Sequence, residues 1–125
     1  VDTSGSMSAK QIGMALGSIA SYAAAKDVPF VRIIFCDAKA TDAGYLAPED
    51  IAGRVKVTGR GGTILQPGVD CLEQANDFPK DGPILIITDG EIENDLKIRR
   101  EHAFLLPRGN RLPFRARGEV FYFRE

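Results

Sequence analysis

The chain is 125 residues long, 44% hydrophobic and 26% charged, with a formal net charge of -1. These are ordinary values for one globular domain able to bury a core of its own. No apolar run reaches the length of a membrane span, no stretch reads as a signal peptide, and the near-zero net charge excludes a strong field over the whole chain.

In chain order, "VDTSGSM" comes first: one apolar residue, then an acid, hydroxyls and a glycine. From Ser8 to Lys26, Ile12, Leu16, Ile19 and Ala23 recur at helical spacing, with Ser8 as N-cap. Gly13 and Gly17 are expected to let this helix pack closely on a sheet. "VPFVRIIFCD" is a nearly continuous, β-branched apolar run and predicts a strand buried on both faces. "AKATDAGYLAPED" predicts a loop with a short edge strand, then a helical turn opened by Pro48.

"RVKVTGRGGT" predicts a short strand and a glycine loop. "QPGVDCLEQANDF" predicts a second helix, with Pro67 near its start and Val69, Leu72 and Ala75 facing inward. "GPILIITDG" is a buried strand that stops at an acid and a glycine. "IENDLKIRR" predicts a short helix, and "HAFLLP" and "GEVFYF" two further strands. Strands alternating with helices predict an α/β sheet covered on both faces, with ligands at the carboxyl ends of its strands.

The two cysteines, Cys36 and Cys71, lie outside any CxxC or Cys/His cluster. Both read as small core residues in a reducing, cytoplasmic compartment, although sequence leaves a disulfide open. Acids outnumber bases up to residue 96, and bases outnumber acids beyond it. Arg108, Arg111, Arg115 and Arg117 are spread among Pro and Gly, so the expectation is a solvated basic rim. The other reading is a surface for RNA or an acidic partner.

Three of these loops carry a common chemistry. Asp2, Ser4 and Ser6 alternate and can turn toward one point; Thr63 follows two glycines; Asp89 ends a strand. Each alone is also what a capping turn or tight loop would show. Together they offer two carboxylates and three hydroxyls, a hard-oxygen set suited to Mg²⁺, Mn²⁺ or Ca²⁺ rather than zinc or copper. Side chains alone do not fill an octahedral shell, so a position stays open for water or an incoming acid.

On these residues the chain resembles the von Willebrand factor A domains. "DTSGS", the later Thr63 and "TDG" are similar to that family's metal-ion-dependent adhesion site, a DxSxS, a Thr and an Asp from three loops. All five positions match, at Asp2, Ser4, Ser6, Thr63 and Asp89. "GRGGT" and the closing "LPF…GEVFYF" look like compact bacterial members. The resemblance implies a doubly wound, mostly parallel sheet flanked by helices. It also implies a binding module whose last metal ligand is an Asp or Glu of a partner protein. Intracellular bacterial members are often associated with AAA+ ATPases or sit in multidomain proteins.

The family's first, central strand precedes its DxSxS loop, and here only Val1 stands in that place. With no initiator Met either, the expectation is a single domain forming a C-terminal piece of a longer protein, with that strand upstream of Val1. Two other functions compete with this reading. A phosphoryl-transfer enzyme of the haloacid dehalogenase type needs a second acid where Ser4 stands. RNA binding would rest on the basic C-terminal stretch, which carries no RNA-reading motif.

Overall fold

A computed structural model of the chain describes residues 1–3, 8–37, 39–51 and 63–124. Ser4, Ser6, the expected strand at "RVKV" and the glycines before Thr63 lie outside the described residues.

Helix α1 spans Ala9–Ala25. It opens on a reciprocal cap: the Ser8 hydroxyl accepts the Gln11 backbone N–H, and the Gln11 side chain accepts the Ser8 N–H, each at 3.0 Å. It closes on Asp27 at φ 56°, with the Val28 N–H on the Ala23 carbonyl at 2.8 Å. That is a Schellman-type stop with aspartate in the left-handed position. Ile12, Ala15, Leu16 and Ala23 are buried. Gly13 and Gly17 face outward with open space around them, so the expected close packing at these glycines does not occur. They lie one residue round the helix from Ile12 and Leu16, off the buried stripe.

Strand β1 (Val31–Cys36) pairs antiparallel with β2 (Ala40–Leu46), with a register shift between Ile33 and Ile34. A single 3₁₀ turn follows at Pro48–Asp50. Strands β3 (Ile84–Ile87), β4 (His102–Pro107) and β5 (Glu119–Phe123) form a parallel sheet in that order. The protein is therefore mixed α/β, with an antiparallel pair, a three-stranded parallel sheet and helices α1 and α2 (Gln66–Gln74).

Residues 1–3 join the two sheets. The Val1 nitrogen donates to the Ile34 carbonyl, Cys36 N–H to Val1, and Thr3 N–H to Cys36, each at 2.8 Å. On its other side Asp2 N–H donates to the Ile87 carbonyl at 2.8 Å. This short extended piece lies between β1 and β3 and is bonded to both.

Alternate strand residues feed two core clusters. Ile33 and Ile87 pack with Ile12, Leu16 and Ile51 on the α1 side. Ile34, Cys36, Ile84, Ile86, Phe104 and Leu106 pack with Leu65 and the α2 residues Cys71 and Leu72. Gly68 brings α2 close to β1, since a Cβ there would sit 2.5 Å from the Cys36 sulfur. Both cysteines are free.

Residues 91–100 are not helical, contrary to the sequence expectation. Side chains of α2 bond part of their backbone instead. Gln66 bonds both the N–H and the carbonyl of Lys97, at 2.8 and 2.9 Å, and Glu73 accepts the Arg99 N–H at 2.8 Å. Ile92, Leu96 and Ile98 then cover the α2-side core. The segment crosses from β3 to parallel β4, a task helices usually perform. Among the described residues no helix is long and apolar enough to cross a membrane.

Candidate metal centre

Asp2 is wholly buried, within the short piece that bridges β1 and β3. Both of its carboxylate oxygens accept a hydroxyl. Thr63 donates to Oδ1 at 2.9 Å, and Thr88 donates to Oδ2 at 2.8 Å. Thr63 and Thr88 are themselves buried. Residues 61 and 86 positions away from Asp2 therefore meet on one side chain.

Thr63 is held from two directions. It forms a parallel bridge with Ile92, and the next residue, Ile64, donates its N–H to the Asp37 carbonyl at 3.1 Å. Just beyond, the Glu93 carboxylate accepts the N–H groups of Leu65, at 2.9 Å, and Gln66, at 3.0 Å. A helix start carries unsatisfied donors and partial positive charge, which a carboxylate answers on both counts. Glu93 thus ties the start of α2, and with it the Thr63 turn, to the segment that follows Asp89. At the other end of α2, Arg100 reaches the carbonyls of Leu72 and Glu73 and lies over the Phe78 ring at 4.8 Å.

Asp89 is buried one residue after Thr88. Its Oδ1 accepts the Glu91 N–H at 3.0 Å, closing a turn, and its backbone carbonyl accepts Asn110 Nδ2 at 2.9 Å. Gly90 has φ +93°, and a Cβ there would lie 1.9 Å from the Arg111 carbonyl oxygen. Only glycine fits both the conformation and the approach. The Gly90 N–H donates to the Thr88 hydroxyl at 3.1 Å, so the turn and the Asp2 contact share one atom.

Of the five residues expected to hold a cation, Asp2 and Thr63 are in direct contact. Asp89 adjoins Thr88, which is in contact with Asp2. Ser4 and Ser6 lie outside the described residues. Among the described residues, no group of three or more His, Cys, Asp or Glu side chains gathers as a metal cage. The expected set holds only two carboxylates, its remaining donors being hydroxyls. Thr88 was passed over in sequence although it stands in the quoted "TDG". Glu93 stands in a segment expected to be helical, yet its carboxylate caps the start of α2, 28 residues back.

His102 opens β4, its Nδ1 2.7 Å from the Arg100 carbonyl oxygen and its ring edge-on to Phe104. Arg108, Arg111, Arg115 and Arg117 lie in the connection between β4 and β5, whose Leu112, Phe114 and Ala116 pack on the α2-side core. No protein-family model, curated protein or solved structure matches the chain.

Proposed function

We propose that the chain is a von Willebrand factor A-like domain that binds a partner protein through a divalent cation. In this reading Asp2, Ser4, Ser6, Thr63 and Asp89 hold Mg²⁺, with Mn²⁺ and Ca²⁺ as the other hard ions the donors suit. The fold is then the doubly wound, Rossmann-like one, and the two core clusters on opposite sides of the strands support it. The domain is a binding module rather than an enzyme, working in the cytoplasm. Its partner supplies an Asp or Glu and belongs to an AAA+ ATPase or to another domain of the same protein.

One observation carries this reading. The buried Asp2 carboxylate receives hydroxyls from Thr63 and from Thr88, the neighbour of Asp89, so parts of all three loops meet. The residues fit a hard cation: each threonine oxygen that donates its proton to Asp2 keeps lone pairs for another partner. Two buried carboxylates among neutral hydroxyls would balance a divalent charge without over-neutralising it. The ion would supply a fixed positive anchor for a partner's carboxylate, offsetting the cost of taking that carboxylate out of water.

The test is binding of a glutamate-bearing partner or peptide with Mg²⁺, with EDTA, and with the Asp2→Ala chain in Mg²⁺. Binding is expected in the first condition and at least tenfold weaker in the other two. Equal binding in all three would refute the mechanism. Circular dichroism of Asp2→Ala separates loss of the site from loss of the fold, and Asp2→Asn repeats the test in a side chain of the same shape.

A further inference from the structure

The two outer strands, β2 and β5, treat their open edges differently. β2 carries exposed Thr41 and Asp42 and is broken by Gly44 at φ +75°, beside the register shift. Bulges and charges of this kind keep a further chain from pairing. β5 has neither device within its span. It reads Glu-Val-Phe-Tyr-Phe without a break and leaves Phe121 49% and Tyr122 54% exposed. An unbroken apolar edge is a template for another strand.

The backbone directions along β5 follow from one bond. The Phe123 carbonyl accepts the Arg108 N–H at 2.9 Å, so Phe123 turns its polar groups toward β4. Strand alternation gives Glu119 and Phe121 the same direction and points the N–H and C=O groups of Val120 and Tyr122 outward. Among the described residues no strand stands on that side. On the α1-side face Phe121 continues the row Ile87–Leu105, and on the other face Val120 packs on the α2-side core.

We propose that β5 pairs antiparallel with β5 of a second copy, about a two-fold axis at Phe121, giving a dimer with one continuous sheet. Val120 of each copy then lies opposite Tyr122 of the other, and their outward groups exchange about four hydrogen bonds. The two Phe121 rings meet on the α1-side face, where each is half exposed in one copy alone. Aromatic pairs with aromatic, and aromatic with β-branched, the matches that stabilise a ladder. The same register sets Glu119 opposite Phe123 and Arg124 opposite Gly118, so no like charges face each other. Sliding by one pair loses the match: one shift brings Glu119 opposite Phe121, the other brings Arg124 opposite Val120. This self-match selects a second copy over an unrelated strand. A strand pair of this length, about 17 Å, falls in the class of small, weak interfaces below roughly 1,200 Å², so the dimer dissociates on dilution. β3 and β4 separate β5 from residues 1–3, and the pairing is independent of the cation.

The test follows the full chain by sedimentation and amide exchange from about 10 µM to about 1 mM, the range in which weak interfaces form. The mass is expected to rise toward that of a dimer, and exchange at Val120 and Tyr122 to slow at least threefold. A chain that stays monomeric at the top of the range, or exchange there that ignores concentration, would overturn the proposal. Phe121→Lys and Phe121→Glu each set like charges on the axis and should be monomeric alone, whereas their equimolar mixture should dimerise. Dimers of either variant alone, or none in the mixture, would equally sink it. Should these variants fail to fold by circular dichroism, Tyr122→Pro removes an outward N–H and no bond to β4, and a dimer that survives it would count against the edge. The amides of the unaltered chain decide whatever the variants do.

Discussion

Thr88 shows what a single hydroxyl does here. It donates to Asp2 and accepts from Gly90, both in wholly buried surroundings. Thr88→Val keeps the shape and removes both bonds, leaving an oxygen of a buried carboxylate short of a donor. The expected cost is about 1–3 kcal/mol, measured as a lower midpoint of urea unfolding. Gly90 is constrained more severely, by its φ of +93° and by the Arg111 carbonyl. Gly90→Ala should destabilise by more than 1 kcal/mol, roughly the least that a strained left-handed residue costs before any clash. The Cys36 thiol is pushed above 9.0, mainly by desolvation, so beyond 9.0 the unfolded chain loses its proton first and stability falls. Urea-unfolding midpoints followed from pH 8 to 10 should show that decline, and Cys36→Ala should flatten it.

At the scale of elements, α2 is positioned by one irregular segment. Glu93 caps its start, Gln66 and Glu73 bond the segment's backbone, and Arg100 meets its last carbonyls. Glu93→Gln removes the charge from the helix start and should cost about 0.3–1 kcal/mol, with faster amide exchange at Leu65 and Gln66 than elsewhere in α2. The segment also marks the limit of what local pattern reveals. Strands β3, β4 and β5 were legible because short β-branched and aromatic runs ended at clear turn residues, and "HAFLLP" is β4 from end to end. Helix α1 was legible from its stripe and from Ser8. "IENDLKIRR" carries Ile92 and Leu96 at helical spacing, yet its backbone bonds are made with side chains some thirty residues away. No local pattern encodes such partners. The same holds for Gly13 and Gly17, whose role depended on which face met the sheet.

Across the whole molecule, the sequence placed Asp2, Thr63 and Asp89 at loop ends, and the fold brings Asp2 and Thr63 into contact beside Thr88. The contact between Asp2 and Thr63 was legible to that extent, because hard-oxygen side chains at strand ends have a shared use; Ser4 and Ser6 lie outside the described residues. Thr88 and Glu93 escaped because threonine and glutamate are common surface residues, and only three-dimensional placement distinguishes them. The antiparallel pair gains a further tie on its outer side, where Arg32 chelates Asp42 and meets Asp77 at 2.7 Å. Hydrogen bonding to Arg32 holds Asp42 below the usual carboxylate range. Because Asp77 is largely exposed, this network is a modest brace rather than a source of the fold.

In the function proposed above, Asp2, Thr63 and Asp89 serve one cation. Titration with Mn²⁺, read as paramagnetic broadening of backbone amide resonances and reversed by excess Mg²⁺, tests it most directly. Broadening should centre on Thr3, Thr63, Thr88 and Asp89, leave the distant end of α1 sharp, and vanish in a folded Asp2→Asn chain. Broadening spread evenly over surface acids such as Glu49 and Asp77, or unchanged in Asp2→Asn, would contradict the account.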